Sequence, residues 1–466
     1  MKILKNISFL LALLFVISSC EKVLEFEPEG SNLEEEEALS TKNQLIALLN
    51  STYSSTTGYM GGQFQSFNEL LGDNVSQPAN NNDLNEIYRH DVLFFNSTVK
   101  SGYNTPYAAL LKVNRLLEVI DDFEFTSEEY DRITGECQFL RAMAHFELVK
   151  LFAQPYGYTT NNSHLGIAYK SSSQTDLLQR TPVGEVYSNI VADLKSAEAL
   201  LPATNGIYAT KMAATALLAK VYFQQGNYTD AAQKAGEVIN SGLFSLGSDV
   251  DRFQQNVVLP EVIFYLQSYL AADGNAFFAS GGYAGNYTYR PADGINVPTL
   301  RATREFYNIY SADTSDKRVG LYQVVNEGEL NEFIACIKFN EDYFNVPLLH
   351  LTEMKLIRAE SNAILGVELA TAIQDVNDIR ERAYGGNANN LPAGAGSASI
   401  ITAVRFERRI EMFAEGDRIQ DLKRRGAFEG ENPVIRGDQW NCDGLILQFP
   451  ISERSAIFPL NPNDGC

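Results

Sequence analysis

Positive charge is what this sequence most lacks. Its 37 lysines and arginines face 58 aspartates and glutamates, a formal net charge of −21. Nucleic acid is bound by lysine and arginine set against phosphate, so this balance argues against it, and against broad adhesion to anionic lipid. Histidine is scarce: His90, His145, His164 and His350 stand far apart, and neither H-E-x-x-H nor C-x-x-C occurs. No zinc site is therefore legible, and no metal or other cofactor is expected. The Walker loop, G-x-G-x-x-G and the G-x-S-x-G nucleophile elbow are missing as well. Past the first twenty residues there is no apolar run of the roughly 20 residues that a membrane-spanning helix needs.

What the chain does have begins at its first residues. Lys2 and Lys5 precede a run, 7–17, that is apolar except for Ser8. It is too short for a span and fits the core of a secretory signal. Ile17-Ser18-Ser19-Cys20 then supplies a branched residue, two small ones and a thiol. The pattern is similar to the bacterial lipoprotein box, which implies cleavage before Cys20 and acylation of its sulfur. Loss of residues 1–19 removes two lysines and no acid, taking the formal charge from −21 to −23. Several acyl chains anchor a protein far more firmly than one.

Residues 20–33 are acidic and aperiodic and read as an extended tether. Helical periodicity is expected from the acidic run 34–37 through Leu45, Leu49 and Tyr53, then from Tyr107 to Ile120, and along a face holding Cys137, Leu140, Ala144, Leu148 and Leu151. Between them, 58–103 is rich in Gly, Asn, Ser and aromatics and reads as loop. Thr181-Pro182 with Glu185 signals a helix start, and that helix runs to Leu201-Pro202. Leu218, Ala219, Tyr222, Gly226, Tyr228 and Ala231 fall in the tetratricopeptide frame, with both tyrosines in the core. A loop-rich insertion with a few short strands is expected over 241–346. Helices return over 348–365, 369–384 and 400–425, the last interrupted near Gly416. The chain thus divides into 1–19, 20–33, 34–240 and 241–466. Cys442 and Cys466 bracket the C-terminal segment, and either a disulfide or buried free thiols fits the spacing.

The densest motif lies within 405–426. Glu407, Glu411 and Glu415 lie four apart on one predicted helix face. Arg408/Glu411 and Arg418/Asp421 are three apart, within ion-pair reach. Gly416 can take positive φ and turn the chain, and Asp417 can cap the next helix. A structural charge lattice at a helix bend explains this better than acid–base catalysis does.

With these residues in place the chain resembles the SusD/RagB family of bacterial outer-membrane lipoproteins. Its E-R-R-x-E-x-x-x-E-G-x-R-x-x-D-L element stands here as Glu407 to Leu422. In order along the chain, Leu24-Glu25 and Pro28, Phe139-Leu140-Arg141-Ala142, Asp193-Leu194, Arg358-Ala359-Glu360 and Ile379-Arg380 are similar to its other motifs. Glu25 replaces the more usual Asp, and the tail 461–466 follows the family's Asn-Pro-Gly-Tyr ending only in part. The resemblance implies a mainly α fold of about four tetratricopeptide-type helix pairs plus a loop-rich region. It implies a partner, a SusC-like TonB-dependent barrel, and an oligosaccharide ligand, or a peptide in some members. It implies no catalysis and a place on the outer membrane, facing the medium.

Ligand contacts are sought among aromatics in polar loops, because sugar rings present flat C–H faces for stacking. One group is Tyr88, Arg89, Phe94, Phe95 and Tyr103. A second is Tyr283, Asn286, Tyr287, Tyr289 and Arg290. A third is Trp440 with Asp438 and Asn441. Core packing is the competing reading for each. A tetratricopeptide scaffold that binds only protein, and a glycan-cleaving enzyme, are the rival functions.

Overall fold

The structure, a computed structural model, describes residues 39–78, 80–174, 179–271, 276–462 and 465–466. The signal segment, Cys20, the tether and the acidic run 34–37 lie outside the described residues. The chain falls into two compact units, Met1–Ala47 and Leu48–Cys466, and the second carries the candidate site described below.

Four helices open the described chain: α1 (Lys42–Met60), α2 (Gln63–Leu71), α3 (Asn82–Tyr88) and α4 (Ser97–Val119). The stretch 58–103, expected as loop, is therefore mostly helical. Several of its Gly and Asn residues, Gly62, Gly72, Asn81 and Asn96 among them, break the apolar period because they sit at helix ends. Gly62 turns the chain at φ 117° between α1 and α2. The side chains of Asn81 and Asn96 accept from the amides of Leu84 and Val99, capping α3 and α4.

Helix α5 (Ser127–Phe152) starts at a capping box, in which Thr126 and Glu129 satisfy each other's amides, and buries the expected face from Cys137 to Leu151. In α6 (Val183–Leu200) it is Pro182 that occupies the cap position, without a side-chain bond. The Thr181 hydroxyl accepts instead from the Tyr169 amide. Next come α7 (Lys211–Gln224) and α8 (Tyr228–Asn240), the tetratricopeptide hairpin. Gly226 makes its turn at φ 68°, and Tyr222 and Tyr228 are buried.

The loop-rich region holds β1 (Val262–Leu266), β2 (Tyr269–Leu270), β3 (Ala276–Phe277), α9 (Gly281–Tyr287), α10 (Arg304–Ser311), β4 (Tyr322–Val325), β5 (Phe333–Cys336) and β6 (Val346–His350). The strands form two-stranded antiparallel pairs: β1 with β6, β2 with β3 and β4 with β5. Helices α11 (Leu351–Leu365), α12 (Leu369–Tyr384), α13 (Ser397–Glu411) and α14 (Arg418–Phe428) follow. The small ribbon of β7 (Val434–Ile435) and β8 (Asp438–Gln439) comes after them. Helix α11 begins at Leu351, not 348, because the preceding residues pair with β1. The His350 ring then caps it by accepting from the Glu353 amide.

Each long helix packs on its neighbour in the chain, from α4 to α8, and α8 then meets α11, which packs on α12 and α13. The result is a stack of helix hairpins. Its last turns bury Leu356, Val376, Ile379, Ile400 and Val404 together. Each fully buried aliphatic side chain contributes about 1.5–3 kcal/mol.

Candidate functional site

The charged motif is interior. Glu411 accepts from Arg382 at 2.6 Å, Arg318 at 3.0 Å and Arg252 at 3.2 Å. Glu407 pairs with Arg380 and Arg318, and Glu415 with Arg252, Lys338 and His350. The expected Arg408–Glu411 pair does not form. Arg408 turns to Glu360 on α11 and to Asp417, because Glu411 is already saturated by guanidinium groups from three other segments. Arg418 makes its close pair with Asp73 at 2.7 Å and reaches Asp421 only at 4.0 Å, while Asp421 is held by Arg424. Glu415 lies beyond the end of α13. Ala414 and Gly416 both take positive φ there, so the bend spans three residues. Asp417 occupies the N-cap position of α14 without a capping bond. Burial would raise the Glu411 carboxyl, but Arg382, Arg318 and Arg252 hold it down to about 2. Both oxygens of Glu407 and of Glu411 meet guanidinium groups inside the fold, where they organise helices rather than ligand.

The aromatic candidates separate by burial. Tyr283 is packed flat on Phe339 at 4.5 Å, and its hydroxyl donates to the Ala414 carbonyl. Tyr287 is sealed between Phe339 and Phe413, and Tyr103 between Tyr107, Phe152 and Phe449. Tyr103, Tyr283 and Tyr287 are buried and present no surface to a ligand. Tyr88 is half-buried under Arg436, and Trp440 lies across Gly426, where a Cβ would come within 2.3 Å of the indole. Tyr289 meets Phe333 edge-on, and Arg290 is paired with Asp293 and Asp342. Asn286 donates to Ser66, Asp438 holds His90, and the Asn441 carbonyl accepts from Gln154. Phe94 and Phe95 are exposed, edge to face at 5.2 Å. These residues do not come together at one concavity. Cys442 and Cys466 are joined as a disulfide.

A concavity does exist elsewhere. A cleft of about 280 Å³ is lined by Asn50, Tyr53, Ser54, Thr57, Ile207, Tyr208, Tyr265, Leu266, Gln267, Tyr269 and Phe277. Four of these come from α1, at spacings of three and four residues that put them on one helix face. That helix is fixed from behind, where Lys112 of α4 donates to the hydroxyls of Ser51 and Ser55. Tyr208 comes from the α6–α7 loop. Its ring lies 5.0 Å from that of Tyr53, whose hydroxyl accepts from the Ala209 amide. Asn205 braces the loop by donating to the Ala209 carbonyl and to Glu136, which also holds Arg132 at 2.6 Å.

The far wall is β1 and the β2–β3 hairpin. Strand alternation buries Phe264 against Phe139 and turns Tyr265 the other way, into the cleft. Ser268 roots the hairpin: its amide donates to Asn345, its hydroxyl donates to the Phe344 carbonyl and accepts from the Ala279 amide. Tyr269 and Phe277 then pair across the hairpin, with near-parallel rings 6.1 Å apart. Burial raises the phenols of Tyr53, Tyr208 and Tyr265, with Glu136 adding to the first two, so all three stay protonated donors at neutral pH. The cleft therefore offers aromatic faces interleaved with amide and hydroxyl groups. Larger concavities of about 440 and 640 Å³ lie on the helical stack. They are walled by Lys355, Asp378 and Arg382, and by Glu237, Arg358 and Glu368, with little aromatic surface.

Sequence reasoning passed over this cleft. The face Asn50/Tyr53/Ser54/Thr57 was a readable signal, whereas its joining to Tyr208, Tyr265 and Tyr269 was not.

Two family models match the chain. One is described as "Starch-binding associating with outer membrane" and covers residues 23–223; the other, "SusD family", covers 336–439. The chain belongs to the SusD/RagB family. Among curated relatives of this SusD-like chain, SusD-like protein P2 of Formosa agariphila is 26% identical over 98% of this chain and 99% of the relative. SusD-like protein P38 of the same organism is 26% identical over 93% and 94%. Among solved structures, a SusD superfamily protein from Bacteroides vulgatus superposes with a TM-score of 0.77 at 21% identity, over 90% of this chain and 98% of that one. Surface glycan-binding protein A from Bacteroides fluxus superposes at 0.73 with 18% identity, over 91% and 99%. The helical stack with its loop-rich insertion is thus the SusD fold.

Proposed function

We propose that this SusD-like chain is a lipid-anchored surface protein that captures a nutrient oligosaccharide in the aromatic cleft and passes it to a SusC-like TonB-dependent barrel. The observation that carries this reading is the cleft lining. Tyr208, Tyr265, Tyr269 and Phe277 offer ring faces for sugar C–H surfaces, Asn50, Ser54 and Gln267 offer groups that both donate and accept, and Thr57, whose hydroxyl donates to the Ser54 carbonyl, offers an acceptor. Family membership supports the ligand class, and the lipoprotein box ending at Cys20 supports the anchor. The barrel follows from the family resemblance.

Calorimetry on the full chain in detergent, against a panel of oligosaccharides, tests it. One glycan binds and is recovered with its length and reducing ends unchanged. Tyr208→Ala and Tyr269→Ala each weaken that binding about 10–100-fold, the loss expected for one stacked ring, with little change in thermal midpoint. Undiminished binding in the double variant would place the site elsewhere. Capture of peptides with no glycan bound would favour the peptide-binding branch of the family.

A further inference from the structure

The cleft has a second property that its aromatics alone do not convey, and it deepens the glycan reading, on which it rests. We infer that the ligand is an uncharged glycan, and that uronate-bearing and sulfated glycans are rejected. Charged residues make up 20% of the chain, and they wall the other concavities, yet no Asp, Glu, Lys, Arg or His is among the described residues lining this cleft.

A carboxylate or sulfate pressed against Tyr208, Tyr265 and Phe277 would lose water and gain no counter-charge, the arrangement that makes a buried ion costly. The charges packed behind the lining offer no remedy. Glu136 lies fully buried behind Tyr53 and Tyr208 and acts on both phenols. Its partner Arg132 is committed to it at 2.6 Å. Lys112 is turned to Ser51 and Ser55, around the helix from the cleft residues Asn50 and Ser54. The chain as a whole, at −21, repels polyanions before contact. A neutral sugar meets none of these penalties. Its hydroxyls donate as well as accept, which matches Asn50, Ser54 and Gln267. An anionic oxygen only accepts, and leaves their oxygens unsatisfied.

The test uses the full chain in detergent and matched probes. Each acidic polysaccharide is paired with its neutralised form: a uronan with its carboxyl-reduced product, a sulfated galactan with its desulfated product. Neutral glucans, xylans and mannans are measured beside them. Binding confined to neutral members, unchanged by salt and weakened about tenfold or more by Tyr269→Ala, is the expected result. An acidic glycan that binds as tightly as its neutral partner, and loses that binding in Tyr269→Ala, overturns the inference while the cleft remains a glycan site. Acidic binding that ignores Tyr269→Ala overturns it as well, by moving the site. Absence of binding to every glycan in both sets defeats the inference together with the reading beneath it.

Discussion

Two carboxyls a few ångströms from the same bend behave oppositely. Glu69 of α2 accepts from the Ala414 amide through one oxygen, and its other oxygen is buried without a partner. Burial pushes its pKa up to about 8, against the Ala414 amide and Lys338. It is neutral in the fold, whereas the unfolded chain ionises it from about pH 4.5 upward. Unfolding therefore releases a proton, and Glu69 costs stability increasingly between those values. Glu69→Gln keeps the acceptor for Ala414 and removes the ionisation. It should match the parent below pH 4.5 and exceed it by up to about 3 kcal/mol at pH 7, as read from denaturant midpoints across pH. Glu411 has the reverse sign. Its folded pKa is depressed to about 2, so its contribution is complete above 4.5 and is lost as pH falls from 4.5 toward 2. Glu411→Gln removes the charge that three guanidinium groups share, leaving Arg382 to Glu261, Arg318 to Asp316 and Glu407, and Arg252 to Glu415, and should cost about 3 kcal/mol at neutral pH. The acid limb of unfolding, followed by circular dichroism, should flatten in the same variant.

At the scale of elements, the C-terminal segment is tied at both ends. The Cys442–Cys466 bridge closes a separation of 24 residues, and Asn461 inside it donates to the carbonyls of Phe152 and Leu447. Closing a loop of that length restricts the unfolded chain by about 3 kcal/mol, so Cys442→Ser should lower stability by that amount, and reductant should do the same to the parent. Guanidinium titrations with and without reductant measure both, and the variant should be indifferent to the reductant. How far such elements were legible depended on what set them. Helices α12 and α13 carry a clear 3.6-residue period, and 369–384 was read to the residue. The Gly416 bend was legible because glycine between two periodic runs has few other uses. The stretch 58–103 was not, since Gly62, Asn81 and Asn96 look like loop composition until each is seen capping a helix. Tyr283 and Tyr287 misled for a related reason. The seven-residue α9 that buries them contains Gly281, Gly282 and Gly285, so nothing in the pattern announced a helix facing Phe339. The cleft is assembled from segments some 60 to 220 residues apart, which no local period can connect.

At the scale of the whole molecule, capture and delivery make separate demands. Capture needs only the rigid body that holds Tyr208 against Tyr53 and roots the β2–β3 hairpin. Delivery, on the proposed reading, needs that body held beside a barrel yet free to move over it. The residues suited to this are 21–33, acidic and aperiodic in sequence and outside the described residues. Thirteen extended residues reach at most about 45 Å, enough to swing a body of this size without releasing it. Tethering also keeps the loaded cleft at high effective concentration near its acceptor, an advantage lost if the linker cannot span the distance. Three strains separate the demands. Cys20→Ala should shed the protein from the membrane. Deletion of 24–31 should leave it anchored. Tyr208→Ala/Tyr269→Ala should leave it anchored and unable to bind. Calorimetry should return the parental affinity for the first two and none for the third, while uptake of labelled glycan by cells should fall in all three. Parental uptake in the deletion strain would show that reach plays no part in transfer, and the acidic leader would then be a spacer and nothing more.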